Sequence, residues 1–288
     1  MIELAPNHKY GLALPAPVMP ASGTFGYATE YADLVEIGLL GAIVTNPLSL
    51  RPRQAVTGRR IAVHGDHVVV HTGLSNPGLR AVVRDYARLW EHLPIPVIVH
   101  VSATTPEEAS RLSRELAAVG AVRGIELGLA EGTRARRALE LLQAARDGGL
   151  PVIVRVPFSR VDELTPALAR NEVDALTLTA PPRAVLPMVT GPDEQVARFM
   201  RGRLYGPALF ALLLNTLARW VPKLGVPVIA CGGIASAEDA LACLSLGAAA
   251  VQIDAALWRD PALLNRIARG LSEPVVPASD AALPTEEE

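Results

Sequence analysis

The chain predicts an α/β fold, a single-domain TIM (β/α)8 barrel, and three observations carry the prediction. Eight short apolar runs, rich in β-branched residues, alternate with longer segments of helical periodicity. The runs are apolar at nearly every position, the pattern of parallel strands buried on both faces. No G-x-G-x-x-G follows any of them, which weighs against an open doubly wound sheet.

In order, the strands are expected at residues 17–22, 41–45, 96–102, 124–129, 151–156, 175–179, 227–231 and 249–254. Three open alike, with Pro96-Val97-Ile98-Val99, Pro151-Val152-Ile153-Val154 and Pro227-Val228-Ile229-Ala230, a weak internal repeat of the βα unit. Helix starts are marked between them. Thr105-Pro106-Glu107-Glu108 supplies a cap, a proline at the first helical position and two acids in the first turn. Ser236-Ala237-Glu238-Asp239 does similar work, and Gly247 stops the helix it opens. Leu209-Phe210-Ala211-Leu212-Leu213-Leu214 is an apolar stripe read as helix packing.

Two stretches break the rhythm. His64-Gly65-Asp66-His67, followed by Val68-Val69-Val70, predicts a hairpin inserted after the second strand. Residues 180–206, with Pro181, Pro182, Pro187 and Pro192, read as an unusually long loop. Both follow barrel strands at the end where such folds build sites, so both are expected to border the mouth.

Composition bounds the function. A net charge of −2 over 288 residues leaves no electrostatic footprint for nucleic acid. No run approaches the roughly 20 apolar residues of a membrane span, and Met1 to Tyr10 lacks the apolar core of a signal peptide, so a cytoplasmic protein is expected. Arg51, Arg53, Arg59 and Arg60 read as a solvated loop. Cys231 and Cys243 suit buried reduced thiols, and His64, His67 and His71 lack metal-site spacing, so no metal is expected. The barrel is assigned to 1–272, and the acidic, Pro/Ala-rich tail 273–288 to disorder.

Several motifs then follow one another: Ala21-Ser22-Gly23-Thr24-Phe25-Gly26, Gly41-Ala42-Ile43-Val44-Thr45, Gly73-Leu74-Ser75-Asn76-Pro77-Gly78, Gly206-Pro207-Ala208, Gly232-Gly233-Ile234 and Gly247 to Gln252. In order and spacing, from about residue 5 to about residue 265, the chain resembles the catalytic subunit of the class 1 dihydroorotate dehydrogenases. The resemblance implies a barrel holding FMN at its mouth. It implies oxidation of dihydroorotate to orotate in pyrimidine biosynthesis, with a base taking a proton as hydride passes to the flavin. A homodimer is implied too and, where flavin is retained, an electron-transfer subunit.

Family-equivalent flavin positions are Ala21, Ser22, Gly23, Asn46, Arg155, Gly232, Gly233, Asp254 and Ala255; substrate positions are His71, Gly73, Leu74, Asn76 and Thr179. Many are substituted. Glu131 stands where the class 1 family has its cysteine base, and reads either as a base or as an acid of the following helix. Asn46 and Arg155 replace lysines, while Val70 and His100 replace asparagines. Thr179-Ala180 replaces an Asn-Thr or Asn-Ser pair, and Asp254-Ala255 replaces the Gly-Thr/Ser of the phosphate loop. His100, at a strand end, is the histidine expected to point into the mouth, either catalytic or structural. An acid about 4 Å from a phosphate charge costs on the order of 4 kcal/mol at an effective dielectric near 20. Arg203, at a family glycine, is the cation that would offset it.

Two readings follow. In the first, the chain is a diverged barrel without FMN-dependent dihydroorotate oxidation. In the alternative, it is a functioning FMN-dependent dihydroorotate dehydrogenase or related oxidoreductase with Glu131 as base.

Overall fold

The computed structural model describes residues 1–28, 30, 31, 33–188 and 198–272. Eight parallel strands line up around the molecule: β1 (Val18–Pro20), β2 (Ile43–Val44), β3 (Val97–Val101), β4 (Val122–Gly128), β5 (Val152–Pro157), β6 (Ala175–Ala180), β7 (Val228–Cys231) and β8 (Ala250–Ile253). Their spatial order is β1-β8-β7-β6-β5-β4-β3-β2. The remaining seam, between β1 and β2, is joined where the Gly41 N–H donates to the Val18 carbonyl at 2.8 Å. A side chain at Gly41 would run into the Ala16 carbonyl, so only glycine lets the two strands meet.

The helices are α1 (Leu79–Trp90), α2 (Pro106–Ala117), α3 (Ala135–Ala145), α4 (Val161–Ala169), α5 (Ala208–Trp220), α6 (Ala237–Ser245) and α7 (Leu263–Ser272). The expected caps form: Thr105 Oγ1 accepts from the Glu108 N–H, and Ser236 Oγ accepts from the Asp239 N–H. Gly247 follows α6 at φ +90°, as its place after that helix required. Outward-facing strand residues such as Val99, Leu127, Val154 and Leu176 bury against helix residues including Leu112, Leu141, Leu164 and Leu213.

Inside the barrel, side chains alternate along each strand and stack in layers. The lower layer is apolar, with Met19, Val44, Ile98, Ile153, Ile229 and Ala250, and an N-terminal hairpin closes it from below with Leu4, Leu12 and Leu14. One layer nearer the C-terminal ends of the strands stand His100, Glu126, Arg155, Thr177, Cys231 and Gln252, all buried. A polar layer thus sits directly on an apolar floor.

The predicted hairpin is present as strands Ile61–His64 and His67–Val70. Of the segment expected as a long loop, residues 189–197 lie outside the described residues, and most of the remainder is strand. Residues Arg183–Met188 and Arg198–Tyr205 are antiparallel strands that join the hairpin in a four-stranded sheet. Its two edge strands approach each other, so the sheet curls around Ala62, Val69, Met200 and Leu186 as a small core of its own. Pro187 is tolerated because it lies in an edge strand, where a missing N–H need not break the ladder. The tail 273–288 lies outside the described residues.

Candidate functional site

The C-terminal ends of the strands gather most of the expected residues at one mouth. β3 carries His100 one residue before its end, β5 carries Arg155, β6 carries Thr179, and Gly232, Gly233, Asp254 and Ala255 follow β7 and β8. Ala21, Ser22 and Gly23 follow β1, and Asn46 follows β2. His71 is exposed beside the hairpin, while Gly73 and Leu74 take positive φ angles of 73° and 55° in the next turn. Asn76 is spent on its own loop: it accepts from the N–H groups of Ser49 and Gly78 and donates to the Leu74 carbonyl and Ser49 Oγ.

The centre of the mouth is a residue the sequence reading did not single out. Glu126 is fully buried in β4. It pairs with His100 Nδ1 at 2.6 Å, accepts from Thr177 Oγ1 at 2.8 Å and Gln252 Nε2 at 2.7 Å, and lies 3.9 Å from Arg155 Nη1. Burial pushes its carboxyl up, but the contact with His100, followed by Arg155 and Gln252, outweighs this and holds it at about 2. Arg155 also donates to Cys231 Sγ at 3.1 Å. Burial pushes that thiol up to about 12 against the pull of Arg155, so Cys231 is a neutral thiol. Neither cysteine is bonded to another, and both are buried, as their surroundings implied.

Asp254 is 3% exposed, and burial raises its carboxyl above the ordinary value. Arg155 and the backbone amides of Ala255, Gly233 and Asp254 itself act in the opposite direction, favouring its charge. The amides at the β7 and β8 ends thus act on this side chain. Oδ2 has no protein hydrogen-bond partner, and neither does Ser22 Oγ, which follows β1. Gly233, at φ +71°, lies so close to the Phe210 N–H and Gly206 carbonyl that a side chain has no room.

Glu131 is not in this layer. It follows β4, accepts from Ser159 Oγ, and is ion-paired with Arg203 from the four-stranded sheet. Arg203 also donates to the Pro181 carbonyl at 2.9 Å. The cation placed by sequence beside Asp254 is thus the partner of Glu131, and Arg155 is the cation acting on Asp254. Tyr205, from the same strand as Arg203, packs edge-on against Trp258 at 4.9 Å, and burial lifts its phenol to about 12. Two surface clefts, one around Arg146 and Glu172 and one around Trp90 and Arg123, lie away from these residues.

A model of the family described as dihydroorotate dehydrogenase matches residues 6–129 and 171–275. The chain belongs to the dihydroorotate dehydrogenase family. It is 33% identical over 280 residues to the dihydroorotate dehydrogenase B (NAD(+)) catalytic subunit of Geotalea uraniireducens (strain Rf4), covering 91% of this chain and 90% of that relative. The corresponding subunit of Geobacter metallireducens (strain ATCC 53774 / DSM 7210 / GS-15) is 33% identical over 285 residues, covering 92% and 91%. A crystal structure of DHODH in complex with ferulenol from Eimeria tenella superposes with a TM-score of 0.72 at 15% identity, over 90% of this chain and 83% of that one, a likeness of fold. The interval between the two matched segments of the dihydroorotate dehydrogenase model holds both Glu131 and Arg155. Among the described residues, no helix is long and apolar enough to cross a membrane, and no group of three or more His, Cys, Asp or Glu residues is placed to hold a metal ion.

Proposed function

We propose that this chain is a diverged dihydroorotate dehydrogenase-family barrel that does not carry out FMN-dependent oxidation of dihydroorotate. The observation that carries the reading is Asp254. Barrels of this kind hold a phosphate with backbone amides after strands seven and eight. Here the amides of Gly233 and Ala255 act on a buried carboxylate supplied by the chain itself. A phosphate brought there would compete with that side chain for the same amides, and Arg203, the cation expected beside it, is committed to Glu131. FMN therefore does not fit these residues.

The other requirements of the family reaction point the same way. Glu131, at the family base position, is held by Arg203 and Ser159, so its oxygens already have partners. Asn76 has its hydrogen bonds with Ser49, Leu74 and Gly78. The relatives are named as catalytic subunits; without a flavin, this chain has no electrons to pass to an electron-transfer subunit.

The test is the visible spectrum of the purified full-length protein, followed by addition of FMN and then dihydroorotate under anaerobic conditions. The expected protein is colourless and does not bleach added FMN when dihydroorotate is supplied. A yellow protein whose flavin is bleached by dihydroorotate, with loss of bleaching in Glu131→Gln, supports the alternative with Glu131 as base and overturns this one.

A further inference from the structure

Outside the family-equivalent base position lies a second arrangement suited to moving a proton. We propose that His100 and Glu126 form a general-base dyad opening on the barrel mouth, acting on a small, weak carbon or oxygen acid.

The geometry begins with the carboxylate. Glu126 is fixed from two other strands, by Thr177 Oγ1 on β6 and Gln252 Nε2 on β8, leaving Oε2 directed at the imidazole. A carboxylate accepts only, so His100 must carry its proton on Nδ1 to make the 2.6 Å contact. That choice leaves the lone pair of the neutral ring on Nε2.

The direction of Nε2 follows from Gly128. Gly128 stands two residues beyond Glu126 on β4, one layer nearer the mouth. A Cβ at Gly128 would fall on Nε2 of His100, with Cε1 close behind. The ring thus occupies the place of a missing side chain in the upper layer, with Nδ1 tied below and Nε2 above. His100 is 8% exposed, enclosed without being sealed.

The same environment sets the substrate class. Arg155 Nη1 lies 3.9 Å from the carboxylate oxygen that His100 contacts at 2.6 Å, so a guanidinium flanks the base. In the reaction, Nε2 takes the proton of a substrate C–H or O–H group, and the bonding electron pair stays on the substrate as an enolate or oxyanion beside Arg155. Glu126 balances the imidazolium, which returns the proton to the same or a neighbouring atom. No oxidant or reductant enters. His100 is the catalytic residue, and Glu126 is a positioning residue that fixes the tautomer. The dyad stands whether or not flavin binds, so its failure is separate from failure of the flavin-free reading.

The test uses nitrogen-15 NMR of the histidine rings in the full-length protein at pH 7, with His100 assigned by through-bond correlation. The expected ring is neutral, protonated on Nδ1 and bare on Nε2. Diethyl pyrocarbonate should then acylate His100 at Nε2, and Glu126→Gln should slow this severalfold, because the amide no longer enforces one tautomer. A neutral ring protonated on Nε2, or a doubly protonated ring, overturns the proposal. So does a folded Glu126→Gln protein that reacts at the unchanged rate. Should that variant not fold, the ring spectrum of the unaltered protein decides alone.

Discussion

Glu126 is a carboxylate buried from solvent, and such a group persists only when its partners replace hydration. His100, Thr177, Gln252 and Arg155 do so from four other strands. Its carboxyl, ordinarily near 4.5, is held at about 2 in the folded chain. A depressed folded value means the contribution to stability is present above the unfolded value and is lost as pH falls from about 4.5 towards about 2. Chemical denaturation at pH 6 and pH 3 should show that loss, and Glu126→Gln should shrink the difference between the two. Glu126→Ala should cost about 3–5 kcal/mol at pH 6, since it leaves Arg155 buried without that partner; a loss under about 1 kcal/mol would contradict the network. Glu126 was legible in principle. A charge inside the apolar run Gly124-Ile125-Glu126-Leu127 signals a strand facing a polar interior. Matching motifs to a family drew attention to Glu131 instead, because a reading of linear correspondence cannot see that four other strands converge on Glu126.

At the level of elements, local chemistry was a good guide wherever it was self-contained. The caps at Thr105 and Ser236 and the stop at Gly247 are decided by neighbours in sequence, and all three are realised. The continuous apolar runs located every barrel strand, with ends that moved by a few residues because pairing, not propensity, sets the last hydrogen bond. The segment 180–206 defeated the same reasoning. Its prolines suggested a loop, while the alternation in Arg183-Ala184-Val185-Leu186-Pro187-Met188 acquires meaning only once the Ala62 and Val69 strands are beside it. The seam between β1 and β2 was equally invisible, although it depends on one glycine. Gly41→Ala should disturb closure there and destabilise the fold by about 1–3 kcal/mol through overpacking against the Ala16 carbonyl. Urea unfolding measures this, and an unchanged midpoint would show that the seam tolerates a side chain.

For the whole molecule, the barrel is stratified: an N-terminal hairpin below, an apolar layer, a polar layer, and a curled sheet beside the mouth. Leu14 belongs to the lower plug and is fully buried. Leu14→Ala should therefore cost about 2–5 kcal/mol, comparable to a central core deletion despite its place near the chain end. A melting temperature indistinguishable from the parent's would mean that the hairpin does not close the barrel. Such layering lets a scaffold be retained while its mouth varies, since the lower layers carry stability and the upper residues carry chemistry. The proposal of a flavin-free barrel turns on Asp254, a buried acid on which the amides of Gly233 and Ala255 act. Its consequence is read most directly by titrating purified full-length protein into FMN and following flavin fluorescence. No saturable quenching is expected at micromolar protein; stoichiometric quenching, one flavin per chain, would contradict the central claim that this barrel no longer holds the cofactor.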